Sequence, residues 1–278
     1  MSDTRSDKYC VIGNPIGHSK SPDIHAAFAA QTGQDIVYER VLAPLDGFAD
    51  TVRGLVAAGY RGANVTVPFK LEAAGIATRL EERARLAGAV NTLRFEAGEI
   101  VGDNTDGPGL VADIVRNAGR PLAARRVLLL GAGGAARGVI LPILQHGPAS
   151  IVIANRTRAT ADALVAHFAG HLAHPGQLSA CGFEEIGDAF DVVINATSAS
   201  LSSAMPPVPA AAFCQRTLAL DMMYGNKPSP FMEFAASHGA TTRDGLGMLV
   251  EQAAEAFAIW RGVRPQTAAL LEQMRTRR

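Results

Sequence analysis

The chain is predicted to be an α/β protein with two domains, and three observations carry that prediction. Short apolar strands alternate with helical stretches along most of its length. A second β–α–β series begins after "GRPLAARR" (119–126), which reads as a connector. The 278 residues, 48% of them hydrophobic, suffice for two cores.

In the first half the candidate strands are "KYCVIG" (8–13), "VYERVLA" (37–43), "GANVTVP" (62–68), "TLRFEAG" (92–98) and "EIVGDN" (99–104). Their Val, Ile, Thr and Tyr residues favour a pleated backbone, and Gly and Pro punctuate the runs. "SPDIHAAFAAQTG" and the stretch near 46–58 read as helices between them. A further helix starts at Asp106–Gly107, with Pro108 in its first turn, and ends at Gly119. In the second half the strands are "RVLLLG" (126–131), "SIVIANR" (150–156), "DVVINAT" (191–197) and "LALDMMY" (218–224). "RDGLGMLVEQAAEAFAIWRG" (243–262) is a long helix.

Composition excludes several classes of function. The 26 basic and 26 acidic residues cancel, and no basic stripe carries interleaved aromatics, which argues against nucleic acid. "MSDTRSDKYC" lacks the apolar core of a signal peptide, and no run approaches the roughly 18 uncharged residues of a membrane span. Cys10, Cys181 and Cys214 are scattered and form no CxxC, a pattern of reduced thiols in a cytoplasm.

The most specific local signal is "VLLLGAGGAARGVILPIL", a strand, then Gly131-x-Gly133-x-x-Ala136, then a helix. In such a loop the first glycine makes the tight turn and the second lets the backbone approach a pyrophosphate. The third position stays small so that helix and strand pack closely. Backbone N–H groups at the helix start then hold phosphates. An NAD site carries an acid about 20 residues on. Here Asn155-Arg156-Thr157-Arg158 stands at that place, and guanidinium groups suit the 2′-phosphate of NADP. In "DVVINATSAS", Asn195, Ala196 and Thr197 either face a nicotinamide ring or form a plain strand end.

Other candidates lie in the first half. "GNPIGHSKSP" (13–22) is rich in hydroxyls; Ser19 and Ser21 suit a substrate carboxylate, and Ser21 before Pro22 equally suits a helix cap. His18 and His25 have no ligand-spaced partners for a metal. "GANVTVPFK" places Lys70 where a mostly apolar strand runs out, as a surface cap or as a functional cation. Asp106 reads as a helix N-cap that also follows a strand end, and strand ends converge on one sheet edge. Gln252 shares a helix stripe with Leu249, Ala256 and Ile259, so its amide must find partners. His167, His171 and His174 sit at helical spacing on a solvated face.

Taken together, "GNPIGHSKSP", "GANVTVPFK", "AGAVNTL", "GDNTDG", "GAGGAARG", "NRT", "DVVINATS" and "DGLGMLVEQAA" resemble the shikimate dehydrogenase family in order and spacing, from Tyr9 to about Val263. The resemblance implies a substrate-binding domain, residues 1–106 completed by C-terminal helices within 245–278, and a Rossmann-type NADP-binding domain, 107–244. It implies Lys70 and Asp106 as the catalytic pair. Ser19, Ser21 and Tyr224 would hold the substrate carboxylate, and Thr66, Asn91 and Gln252 the ring hydroxyls. Cofactor contacts would come from Gly131, Ala132, Gly133, Gly134, Ala135, Asn155, Arg156, Thr157, Arg158, Thr197 and Gly245, with no metal.

The implied reaction is reversible reduction of 3-dehydroshikimate to shikimate by NADPH, in aromatic amino-acid biosynthesis. A cytoplasmic monomer or homodimer with no nucleic-acid or membrane partner is expected. Two departures stand out. Ala199-Ser200 replaces the family's usual Ser-Gly, and Thr160 falls where a basic residue is common, with Arg158 nearby to compensate. The rival readings are a quinate/shikimate dehydrogenase preferring NAD, and a non-catalytic shikimate-sensing protein.

Overall fold

The computed structural model describes residues 6–197 and 204–277, so Ala199 and Ser200 lie outside the described residues. Two compact units divide the chain: Met1–Gly109 with Val250–Arg277, and Leu110–Leu249.

The first unit runs β1 (Asp7–Gly13), α1 (Ser21–Thr32), β2 (Ile36–Leu42), α2 (Phe48–Ala57), β3 (Tyr60–Val65), α3 (Lys70–Ile76), β4 (Arg79–Leu80), α4 (Glu82–Ala87), β5 (Thr92–Glu96) and β6 (Glu99–Asp103). Its last residues begin α5 (Asp106–Ala112). The sheet order is β2-β1-β3-β5-β6-β4. β5 runs antiparallel to both β3 and β6, so β1, β3 and β6 end on one edge, where β5 begins. That edge gathers the segments following Gly13, Val65 and Asp103 with the one preceding Thr92.

The second unit continues through a widened π turn (Asp113–Asn117) to β7 (Arg126–Leu130), α6 (Gly134–Leu144), β8 (Ser150–Ala154), α7 (Arg158–His167), β9 (Leu178–Cys181), β10 (Val192–Asn195), β11 (Leu218–Asp221), α8 (Pro230–Ser237) and β12 (Thr241–Arg243). α9 (Leu246–Arg261) and α10 (Ala268–Thr276) follow, α9 passing from the second unit into the first at Val250. This sheet is wholly parallel, in the order β12-β11-β10-β7-β8-β9. That is a doubly wound sheet whose order reverses between β7 and β10, the place where such sheets bind ligands.

Strand alternation assigns the two faces of the first sheet. Cys10 and Ile12 of β1 join Phe48 and Phe69, whose rings stack at 4.8 Å. Tyr9, on the other face, stacks on Trp260 of α9 at 4.7 Å, beside His25, Phe28 and Phe257. In the second unit Leu128, Leu130, Val193 and Ala219 pack with Phe213 and Phe231.

Several expected boundaries shift for local reasons. The strand expected over 62–68 stops at Val65, so Lys70 opens α3 rather than ending a strand. Pro68 has no N–H for the ladder, and the Phe69 N–H turns back to the Thr66 carbonyl at 3.1 Å. The helix expected over 106–119 widens into the π turn at Asp113, and Gly119 ends it at φ +62°. The strand expected over 218–224 stops at Asp221, whose carboxylate accepts the Met223 N–H at 3.0 Å and turns the chain, leaving Tyr224 on a loop. His167 ends α7, His171 lies in a short 3₁₀ turn and His174 beyond it, so the three share no helix face.

Candidate active site

On the first unit's edge, Lys70 at the start of α3 donates from Nζ to Asp106 Oδ2 at 2.6 Å, with both side chains partly buried. Asn91, just before β5, donates from Nδ2 to the other oxygen of Asp106 at 2.9 Å. The same amide lies 2.9 Å from Thr105 Oγ1 and 3.3 Å from Gln252 Oε1. Asn91 Oδ1 accepts the Thr105 N–H at 2.8 Å, and Asn104 Oδ1 accepts the Asp106 N–H at 3.1 Å. Both ends of the Asp106 carboxylate are thus taken by donors from other segments, which fixes its direction. The expected N-cap at Asp106 becomes the hub of a polar network.

Gln252 is buried on α9 and accepts from Thr105 Oγ1 at 3.3 Å. The approach is close: a side chain at Gly109 would meet the Gln252 backbone nitrogen at 2.7 Å, so only glycine fits there. Asn64 of β3, which sequence reasoning treated only as strand, is also buried. It donates to Asn91 O at 3.2 Å and Thr92 Oγ1 at 3.1 Å, and accepts from the Tyr38 hydroxyl at 2.7 Å. Thr105 was missed as well. The signal for Asn64 was the one used for Gln252: an amide inside an apolar run must be satisfied.

Ser19 and Ser21 lie 3.2 Å apart, hydroxyl to hydroxyl, and Ser19 Oγ accepts the Ser21 N–H. Ser21 is therefore no cap; Lys20 holds the N-cap position without a side-chain bond, and Ser21 is the first helical residue. Thr66 is half-buried in the turn after β3. His25 is fully buried, stacked on Tyr38 at 4.1 Å; burial pushes its pKa down to about 3, against a weaker pull from Asn64.

On the second unit's edge, Gly131 leaves β7 at φ +99°, with space for a Cβ limited by Thr197 at 3.1 Å. Gly133 precedes α6 with no side-chain cap, Ala136 is buried against the sheet, and beyond the chain neighbours and α6's own backbone no described residue comes within 4 Å of where a Cβ would stand on Gly133 or Gly134. Ala132 and Ala135 carry only methyl groups on the same loop and first turn. This leaves an open cradle at a helix N-terminus, and it fits a phosphate. Asn155 follows β8 and donates to Thr157 O at 2.9 Å. Arg156 is exposed and makes no ion pair among the described residues, so it fits a 2′-phosphate. Arg158 is gripped by Glu185 through its Nη1 at 2.7 and 3.0 Å. Asp162 lies 3.7 Å from its Nε. Thr197 donates to Asn195 Oδ1 at 2.7 Å, and Asn195 donates to the buried Asp221 at 3.2 Å. The Gly245 N–H donates to Met223 O at 2.9 Å, and a Cβ on Gly245 would collide with Met222 O. Tyr224 is half-buried on the loop after β11.

Comparison with known proteins matches three profiles in sequence. Residues 11–93 match the shikimate dehydrogenase substrate binding domain, 113–205 the shikimate / quinate 5-dehydrogenase profile, and 245–275 the shikimate 5′-dehydrogenase C-terminal domain. The shikimate dehydrogenase (NADP(+)) of Janthinobacterium sp. (strain Marseille) is 63% identical over 272 residues, covering 98% of each chain. Among solved structures, an Ael1 enzyme from Pseudomonas putida superposes with TM-score 0.91 at 50% identity, covering 96% of this chain and 98% of that one. The shikimate 5-dehydrogenase of Thermus thermophilus, solved with NADP(H) and shikimate, superposes with TM-score 0.85 at 32% identity over 97% and 99%. Matched along nearly its whole length in both sequence and fold, the chain belongs to the shikimate dehydrogenase family.

Proposed function

We propose that the chain catalyses the reversible NADPH-dependent reduction of 3-dehydroshikimate to shikimate, a step of aromatic amino-acid biosynthesis. The observation that carries this reading is the Lys70–Asp106 contact at 2.6 Å, placed among the amides of Asn91 and Gln252. NADPH, when bound, supplies the hydride to the carbonyl carbon. Negative charge then builds on the carbonyl oxygen and needs a donor aimed at it. Lys70 donates a proton from Nζ to that oxygen and takes it back in the reverse direction. Asp106 orients Lys70 through their contact and accepts from a substrate hydroxyl.

Ser19, Ser21 and Tyr224 bond the substrate carboxylate; Thr66, Asn91 and Gln252 bond ring hydroxyls. Gly131, Ala132, Gly133, Gly134 and Ala135 hold the pyrophosphate. Asn155, Arg156 and Thr157 serve the 2′-phosphate end, with Arg158, already paired with Glu185, contributing least there, and Thr197 and Gly245 serve the nicotinamide end. The substrate domain on this reading is 1–106 with 245–278, and the cofactor domain 107–244. The reading includes a cytoplasmic monomer or homodimer; among the described residues the three cysteines are unbridged.

The test is absorbance at the NADPH band with shikimate or quinate and with NADP+ or NAD+. Shikimate with NADP+ is expected to give the highest kcat/KM. Shikimate binding without NADPH formation would overturn the reading in favour of a sensor, and a higher kcat/KM with NAD+ would overturn the cofactor assignment.

A further inference from the structure

Within the first unit, five charged side chains alternate in sign: Asp103, Arg83, Glu255, Arg264 and Glu251. Arg83 Nε and Nη2 donate to the two oxygens of Asp103 at 2.7 and 2.8 Å, and Nη1 donates to Glu255 Oε1 at 3.1 Å. Arg264 donates to Glu255 through Nη1 and to Glu251 Oε2 through Nη2 at 3.0 Å. Glu251 is fully buried, and its other oxygen accepts the Thr267 hydroxyl at 2.6 Å. Burying so many charges costs solvation that their mutual attraction only partly returns, so stability alone is a weak reason for the ladder. What such a network does supply is register.

Its members sit where register matters. Asp103 Oδ1 also accepts the Asn104 N–H at 2.7 Å, and Asn104 Oδ1 accepts the Asp106 N–H. Glu251 and Glu255 flank Gln252 on α9, whose Oε1 receives Asn91 and Thr105. Arg83 lies on α4, the helix that leads through Gly88 into Asn91. Each segment carrying Asp106, Asn91 or Gln252 therefore contains or directly follows a rung of one ladder.

We propose that Arg83 and Arg264 are positioning residues: through the ladder they set the spacing of Asp106, Asn91 and Gln252 around the substrate. The proposal rests on the assignment of those three residues to the site. A planar guanidinium fork bridges two carboxylates at fixed angles, which an ammonium cannot do. A displacement of about 1 Å in such a site costs on the order of 100-fold in rate.

The experiment compares Arg83→Lys, Arg264→Lys and Gln252→Ala with the unaltered enzyme, in full chains, below every variant's melting temperature. Arg83→Lys is expected to lower kcat about 10-fold or more, with shikimate KM moving less than about 3-fold. Arg264→Lys is expected to raise shikimate KM about 10-fold, with NADP+ Kd unchanged, since the candidate cofactor residues belong to the other unit. If Arg83→Lys fails to fold, Arg264→Lys decides alone. Lowered melting temperatures with kcat and shikimate KM both unchanged, or a parallel rise in NADP+ Kd, would overturn the proposal. Should Gln252→Ala itself leave shikimate KM unaltered, the site assignment fails; should it raise KM while Arg264→Lys does not, only the ladder fails.

Discussion

The two candidate edges are built on opposite plans. On the first unit's edge the polar side chains are already bonded to one another: Lys70 to Asp106, Asp106 to Asn91, and Asn91 to Thr105 and Gln252. On the second unit's edge the cradle is bare backbone at Gly133 and Gly134, with an exposed Arg156 beyond it. The difference teaches which parts must be held before the reactants arrive. Groups that move a proton need a fixed direction, since donors aimed in advance cost no reorganisation during the reaction. A phosphate cradle needs only space and N–H groups, because the charge of the phosphate completes it.

The contrast can be broken by substitution. Lys70→Ala is expected to lower kcat by about 100- to 10,000-fold with KM less affected, read in the NADPH absorbance assay; a change in KM alone would make Lys70 a binding group. Arg156→Ala is expected to raise NADP+ Kd about 10- to 100-fold without altering NAD+ binding, by titration calorimetry. Arg158→Ala should move it less than about 3-fold, because Glu185 already holds that guanidinium. Equal effects would show that Glu185 releases Arg158 to the cofactor.

Gly109→Ala sharpens the first half of the contrast. With 2.7 Å to the Gln252 backbone, the added methyl is expected to cost about 1–3 kcal/mol in urea unfolding and to raise shikimate KM. A pH-dependent effect concerns His25. Its folded pKa, about 3, lies below the ordinary value of 6.5, so the unfolded chain binds the extra proton. Stability from this group is complete above pH 6.5 and falls as pH drops towards 3, by at most about 1.4 kcal/mol per pH unit. Relative to His25→Phe, urea midpoints of the unaltered chain should fall over that window, and parallel curves would contradict the assignment.

The second edge was the more legible in sequence. Its signals are local: Gly131-x-Gly133-x-x-Ala136 and Asn155-Arg156 each act within a few residues of a strand end, and the sheet places those ends together. The first edge depends on contacts distant in sequence. Lys70 and Asp106 stood out as candidates because both follow strands, and the family resemblance carried most of their assignment. Thr105 and Arg83 did not, since their side-chain partners lie 13 to 172 residues away and no local pattern marks them, and Asn64 carried only the signal of an amide inside an apolar run. The start of α3 was missed because Pro68 ends the ladder by removing a donor, while the turn that begins the helix depends on Phe69 bonding back to Thr66.

On this reading Lys70 and Asp106 act as one prebuilt unit. A double-mutant cycle on kcat with Lys70→Ala, Asp106→Ala and both together tests it most directly. The double variant is expected to lose little more than the worse single one. Losses that multiply would mean two independent groups and would contradict it.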